Sequence, residues 1–300
     1  KKISKDGEVV WSNQTPAGYD ANNVAVDLQG NVCATSCSQY NGYVYKRNSN
    51  GDAVWDYTFT GGTTIETSIT AYDVEIDLLG NVYVGLLGGE KKLVKFNSAG
   101  TKVWEFTEDT KNVSKVAVTL DGNIIICLGD ATLKKINSAG SQVWSFEGIA
   151  NANNTLNYLA VDMQGNACVR CVKTKSVHKI SSSGELVWSV TSFSPKGAGY
   201  VSDGGGYGIA ADQYGDVYAA VSVYQIYEGA WTWCGTIQKI SASGEKIRSF
   251  AVAGDSGHIH SLAIDLQGNV YVNATKTDSE GNLVFGTIDK VFDGYIIHTT

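Results

Sequence analysis

The stretch LAVDMQGNACVRC, Leu159 to Cys171, followed shortly by KISSSGELVW, Lys179 to Trp188, decides how this chain folds. In the first half, small and branched apolar residues flank Asp-x-x-Gly-Asn on both sides, which is the composition of two short strands joined by a tight turn. The aspartate can accept hydrogen bonds from the turn amides while the glycine takes a left-handed backbone position, so both residue types are explained without a ligand. In the second half, serines and a glycine make another turn, and the Trp four residues after that glycine reads as a packing residue.

Outward from this stretch the chain repeats itself. The first half recurs as VAVDLQGN (Val24 to Asn31), DVEIDLLGN (Asp73 to Asn81), VAVTLDGN (Val116 to Asn123), IAADQYGD (Ile209 to Asp216) and LAIDLQGN (Leu262 to Asn269). The second recurs from Lys2, Lys46, Lys95, Lys135 and Lys239, with a degraded copy, KVFDGY, from Lys290 to Tyr295. The glycines of the first unit fall at 30, 80, 122, 165, 215 and 268, spacings of 42 to 53 residues. Two hairpins per period give four strands. A four-stranded antiparallel sheet repeated at that period is the pattern of an all-β protein of the β-propeller class.

Six blades are expected in a single domain over residues 1–300, with the ring closed by the N-terminal strands and residues 286–300 left as a degraded partial blade or exit segment. A seven-bladed reading stays open, because Lys1 is the first residue and no charged-then-apolar leader follows, as in a chain processed or cut from a longer one.

The Lys-x-x-x-x-Gly-x-x-Val-Trp half resembles the blades of pyrroloquinoline-quinone-like propellers, and the Ile-Ala-Val-Asp-x-x-Gly-Asn half resembles bacterial β-propeller and NHL-type repeats. The resemblance covers nearly the whole chain. It implies the fold and leaves the function open, since such blades occur in dehydrogenases, assembly scaffolds, lyases, sensors and bacteriophage tail proteins. A quinone-dependent dehydrogenase would imply more blades and a vicinal cysteine pair, which this chain lacks, so no cofactor is expected.

Composition narrows the classes. With 43% apolar residues and 18% charged, the chain can bury a core and is not disordered. The net charge of -7 speaks against nucleic acid, which requires a clustered basic face. The most apolar stretch, Ile124 to Leu128, is far short of a membrane span. There are 34 glycines against 2 prolines, so the turns rely on glycine. Cys33, Cys127, Cys168 and Cys171 lie in apolar runs after turns and read as small buried hydrophobes. Cys168 and Cys171 point to opposite faces of a strand, a poor chelate, and the redox compartment stays open.

Variation is confined to the connections between second and third strands and between successive blades, so a binding face is expected there. Blade five carries the largest additions, with Tyr200, Asp203 and Tyr207 in one and Tyr224, Tyr227, Trp231 and Trp233 in the other. These amphipathic rings suit stacking on sugars or anchoring a protein. Asp255, His258 and His260 form a second, weaker candidate, a metal site whose third ligand would have to come from another blade. The expectation is therefore a non-catalytic propeller, extracellular, at a cell surface or on a virion. It would recognise a surface glycan or a protein partner, as a bacteriophage tail component or part of a larger assembly. The alternatives are an assembly scaffold and a propeller lyase or hydrolase.

Overall fold

The structure is a computed structural model and describes residues 1–4, 8–15, 20–108, 111–149, 157–172, 174–191, 208–227, 230–251, 259–265, 267–277, 283–292 and 295–298. Its strands form six four-stranded antiparallel sheets and one two-stranded sheet, and every four-stranded sheet is a simple meander in chain order. The pair is Lys2–Ile3 with Val9–Trp11. Sheet 1 is Asp20–Val26, Val32–Cys37, Gly42–Arg47 and Ala53–Phe59. Sheet 2 is Ile69–Ile76, Val82–Gly88, Lys92–Phe96 and Lys102–Thr107. Sheet 3 is Val113–Val118, Ile124–Leu128, Leu133–Ile136 and Gln142–Phe146. Sheet 4 is Asn157–Val161, Ala167–Cys171, Ser176–Ile180 and Leu186–Thr191. Sheet 5 is Ile209–Ala211, Val217–Tyr227, Ala230–Ile240 and Lys246–Ala251. Sheet 6 is Ile259–Ile264, Val270–Thr277, Leu283–Phe292 and Tyr295–His298. These are propeller blades, as the repeat predicts.

The chain divides into two compact units, Lys1–Asn154 with the strand pair and sheets 1 to 3, and Thr155–Thr300 with sheets 4 to 6. One expectation is corrected. The fourth place of sheet 6, assigned from sequence to the N-terminal strands, is filled by Tyr295–His298, which pairs with Leu283–Phe292 from Asp289↔His298 to Phe292↔Tyr295. The degraded copy of the second unit is thus the outer hairpin of sheet 6. Among the described residues the N-terminal strands pair only with each other.

The turns form as their residues dictate. Asp77 Oδ1 accepts from Leu79 N at 2.9 Å and Asn81 N at 2.8 Å, Asp77 Oδ2 accepts from Asn81 Nδ2 at 2.7 Å, and Gly80 sits at φ 79°. Asp27, Asp162, Asp212 and Asp265 bind their own turn amides in the same way. In the outer hairpins Asn48, Asn97 and Asn137, or Ser181 and Ser241, accept from the amide four residues on.

Sheet-to-sheet packing within each unit follows from the Trp and Lys of the second repeat. Trp55 Nε1 donates to Ser98 O at 3.1 Å, Trp104 to Ser138 O at 3.0 Å and Trp188 to Ala242 O at 2.9 Å, so each indole lies on the outer turn of the next sheet. Lys46 Nζ stands 3.7 Å from the turn carboxylate of Asp27 in its own sheet and donates to Gly80 O of the next at 3.0 Å. Lys179 repeats this with Asp162 at 2.8 Å and Gly215 O at 3.0 Å. Both ammonium groups are buried, and the paired carboxylate and carbonyl offset the desolvation that this costs. Second strands are covered on both sides, as in Ile124–Leu128 where all five residues are 0% exposed.

Candidate active site

The first strands of sheets 1, 2 and 3 lie side by side, and their residues just ahead of the turn motif come together. At one position stand Asn23, Asp73 and Lys115. Asp73 is 2% exposed and is held by donors from both neighbouring sheets. Its Oδ1 accepts from Lys115 Nζ at 3.1 Å and also from Asn23 Nδ2, and its Oδ2 accepts from Val116 N at 2.7 Å. Lys115 Nζ also lies 5.3 Å from the centroid of the Tyr72 ring, within cation–π range.

Two residues on, Glu75 occupies a position that is alanine in all five other repeats: Ala25, Ala117, Ala160, Ala210 and Ala263. Its side chain is only partly accessible. Burial, reinforced by the charge of Asp73 and opposed by that of Lys115, pushes the Glu75 carboxyl up to about 8. Two carboxyl groups therefore share one lysine in a desolvated setting, and the second carboxyl keeps its proton near neutral pH. A group poised there can give or take a proton at working pH. Sequence reasoning passed over this cluster because it followed what repeats; the signal was the single departure from the alanine column.

The residues singled out from sequence fare differently. Tyr224, Tyr227, Trp231 and Trp233 lie in the second and third strands of sheet 5, which extend well past those of the other sheets, rather than in a loop. Their register sets Tyr224 opposite Trp233, Ile226 opposite Trp231 and Tyr227 opposite Ala230. The ladder runs unbroken from Val217↔Ile240 to Tyr227↔Ala230, which a reading of that stretch as a connection missed. Tyr200, Asp203, Tyr207, Asp255 and His258 lie outside the described residues. His260 lies on the first strand of sheet 6, where the register shifts between Ile259 and Ser261. Among the described residues no group of three His, Cys, Asp or Glu side chains is placed to hold a metal. Neither is any helix there long and apolar enough to cross a membrane.

The cysteines behave as expected. Cys33, Cys37, Cys127, Cys168 and Cys171 are free, and all but Cys37 are buried. Burial pushes the thiols of Cys33 and Cys168 up to about 12 and that of Cys171 to about 11, so none of these three is poised as a nucleophile.

The sequence matches no protein-family model and no curated protein. Solved structures do resemble it. A catalytically inactive variant of virginiamycin B lyase from Staphylococcus aureus, solved with quinupristin, superposes with a TM-score of 0.63 at 13% identity over 93% of this chain and 94% of that one. A streptogramin B lyase structure gives 0.61 at 12% identity over 95% and 94%. A protein of unknown function from Bacteroides caccae gives 0.52 at 16% identity over 83% and 88%. At such identities the likeness establishes the β-propeller fold. It also corrects the functional expectation: two of these three neighbours are lyases, enzymes built on this architecture, and nothing in the likeness supports a bacteriophage or glycan-binding role. The expectation of a glycan- or protein-recognising bacteriophage component is withdrawn.

Proposed function

We propose that the chain is a propeller enzyme that cleaves a small ester or depsipeptide substrate by proton transfer at Glu75. The observation that carries this is the Glu75 carboxyl, alone in an alanine column, beside the Asp73–Lys115 pair. Asp73, clamped by Lys115, Asn23 and the Val116 amide, fixes the local charge. Glu75, once ionised, is the base: its carboxylate takes a proton from the carbon next to the one that bears the ester oxygen, that C–H pair becomes a C=C bond, the C–O bond breaks, and the carboxylate half leaves with the bonding electrons, the proton staying on Glu75 until water removes it. The lysine serves a second purpose, since its ammonium can meet charge that develops on a leaving oxygen. The repeat type, read as pyrroloquinoline-quinone-like or NHL-like, belongs to the scaffold that presents these groups.

The lyases on this fold suggest the first probes. Purified protein is incubated with quinupristin and with a panel of aryl and alkyl esters, and products are read by mass spectrometry. The expected result is linearised or cleaved product, a rate that inflects near pH 8, and a loss of roughly 100-fold or more in Glu75→Gln with no fall in Tm. Wild-type protein inert toward the whole panel, or a Glu75→Gln variant as active as wild type, overturns the assignment.

A further inference from the structure

The N-terminal strand pair sits on sheet 1 as each outer hairpin sits on the next sheet. Trp11 Nε1 donates to Ser49 O at 3.1 Å, as Trp55 does to Ser98 O, and a Cβ on Gly51 would fall 2.9 Å from Trp11 Cγ. The pair is thus the outer half of a blade. Among the described residues its inner half is not present: Lys2–Ile3 pairs there with Val9–Trp11 alone, whereas the corresponding strand of each four-stranded sheet is bonded on both sides.

Three further observations describe what belongs there. Val24 on the first strand of sheet 1 is 58% exposed, while its repeat counterparts Val74, Val116 and Ile209 are 1%, 3% and 7% exposed and Leu159 and Leu262 are partly covered. Val26 is 61% exposed, and its counterparts Ile76, Val118, Val161, Ala211 and Ile264 are all partly covered. Lys2 donates to Ser49 O at 2.9 Å but meets no carboxylate among the described residues, whereas Lys46, Lys179 and Lys239 each face the turn aspartate of their own sheet. Between these groups runs an apolar groove of about 480 Å³ lined by Lys2, Trp11, Val24, Val26, Ala34 and Tyr45 among others.

We propose that this groove takes a β-hairpin carrying the protein's own Asp-x-x-Gly-Asn turn. Its second strand pairs with the free edge of Lys2–Ile3, and its first strand completes a four-stranded antiparallel sheet. Its apolar face covers Val24 and Val26, and its turn aspartate gives Lys2 the counter-charge that it does not find among the described residues. Strand addition of this kind takes its affinity from main-chain bonds and its specificity from alternate side chains. The pattern of the repeat, not a general stickiness of the patch, selects the occupant.

The probe is a head-to-tail cyclised peptide with the sequence of residues 259–275, which contains Asp265 in its turn. Titration against the full chain is expected to show one saturable site with a Kd on the order of 10 μM. Amide exchange at Ile3 should slow at least about tenfold when the peptide is bound. Val24→Lys in the protein, a change at an exposed position that leaves the fold intact, and Asp265→Ala in the peptide should each weaken binding about tenfold or more. No saturable binding, or binding indifferent to Val24→Lys, overturns the proposal. So does concentration-dependent dimerisation that Val24→Lys abolishes, which would make a second copy of the chain the occupant.

Discussion

At the scale of single residues, the repeat makes departures informative, because five copies supply the control for the sixth. Glu75 is the clearest case. In the unfolded chain its carboxyl titrates at the ordinary 4.5, and in the fold at about 8. Below pH 4.5 both states hold the proton and the fold bears no penalty. As pH rises through this window the unfolded state releases its proton while the folded state keeps it, so stability is lost, until above about 8 both are ionised and the loss is complete. Replacing Glu75 by Gln should therefore leave stability unchanged at pH 4 and raise it at pH 9, by an amount on the order of a few kcal/mol. Denaturant unfolding at both pH values checks this; parallel curves for variant and wild type would mean that Glu75 titrates normally. The opposite behaviour is expected at Asp162, whose carboxylate is the counter-charge to Lys179 at 2.8 Å with both side chains almost fully buried. Asp162→Ala strands a buried ammonium and removes the turn acceptor, and should cost about 3–5 kcal/mol, measured in the same way.

At the scale of the hairpin, the same glycine can have one role or two. Gly100 and Gly122 both take positive φ, 86° and 76°. A Cβ on Gly122 meets nothing within 4 Å, while one on Gly100 would stand 2.5 Å from Trp55 Cγ and 2.7 Å from Trp55 Cδ2. Gly122→Ala should cost only the left-handed strain, about 1–2 kcal/mol. Gly100→Ala adds displacement of the indole and loss of its bond to Ser98 O, and should cost about 1–3 kcal/mol more. Equal costs would show that the indole shifts freely and that Trp55 does not fix one sheet on the next.

This pairing also shows what was legible in the sequence. Turn chemistry is local, so Asp-x-x-Gly-Asn announced its hydrogen bonds and its left-handed glycine from composition alone. The Trp was legible as a packing residue, but its partner, the outer-turn glycine of the following sheet, is set by the stacking of sheets and lies about forty residues on: Trp55 to Gly100, Trp104 to Gly140. Glu75, Asp73, Lys115 and Asn23 were hidden for the same reason. They are far apart in sequence and meet only because the first strands of three sheets lie side by side. The stretch around Trp231 was misread because a hairpin whose strands run past those of its neighbours looks like an insertion until its register is known.

At the scale of the molecule, the buried cysteines report whether neighbouring sheets open together. Cys33 lies in sheet 1 and Cys127 in sheet 3, within the same unit, and both are 0% exposed. Neither thiol can react until its surroundings open, so labelling under native conditions measures the free energy of opening at each place. Sheet 1 gives sheet 2 its Trp55 indole and its Lys46 ammonium, and sheet 2 gives sheet 3 the Trp104 indole and the Lys95 ammonium, which donates to Ser138 O at 3.2 Å. Opening sheet 2 alone would leave two buried lysines without their carbonyl partners and two indoles without a surface. That cost exceeds what any one sheet can bear against a typical stability of about 5–15 kcal/mol, so the three sheets should open as one. Cys33 and Cys127 are then expected to label at rates within about threefold of each other, and Gly100→Ala, which weakens the seam between sheets 1 and 2, should accelerate both alike. If instead Cys33 reacted more than tenfold faster than Cys127, sheet 1 would be opening by itself, and the uncovered first strand with Val24 and Val26 at its surface would be the place where that opening begins.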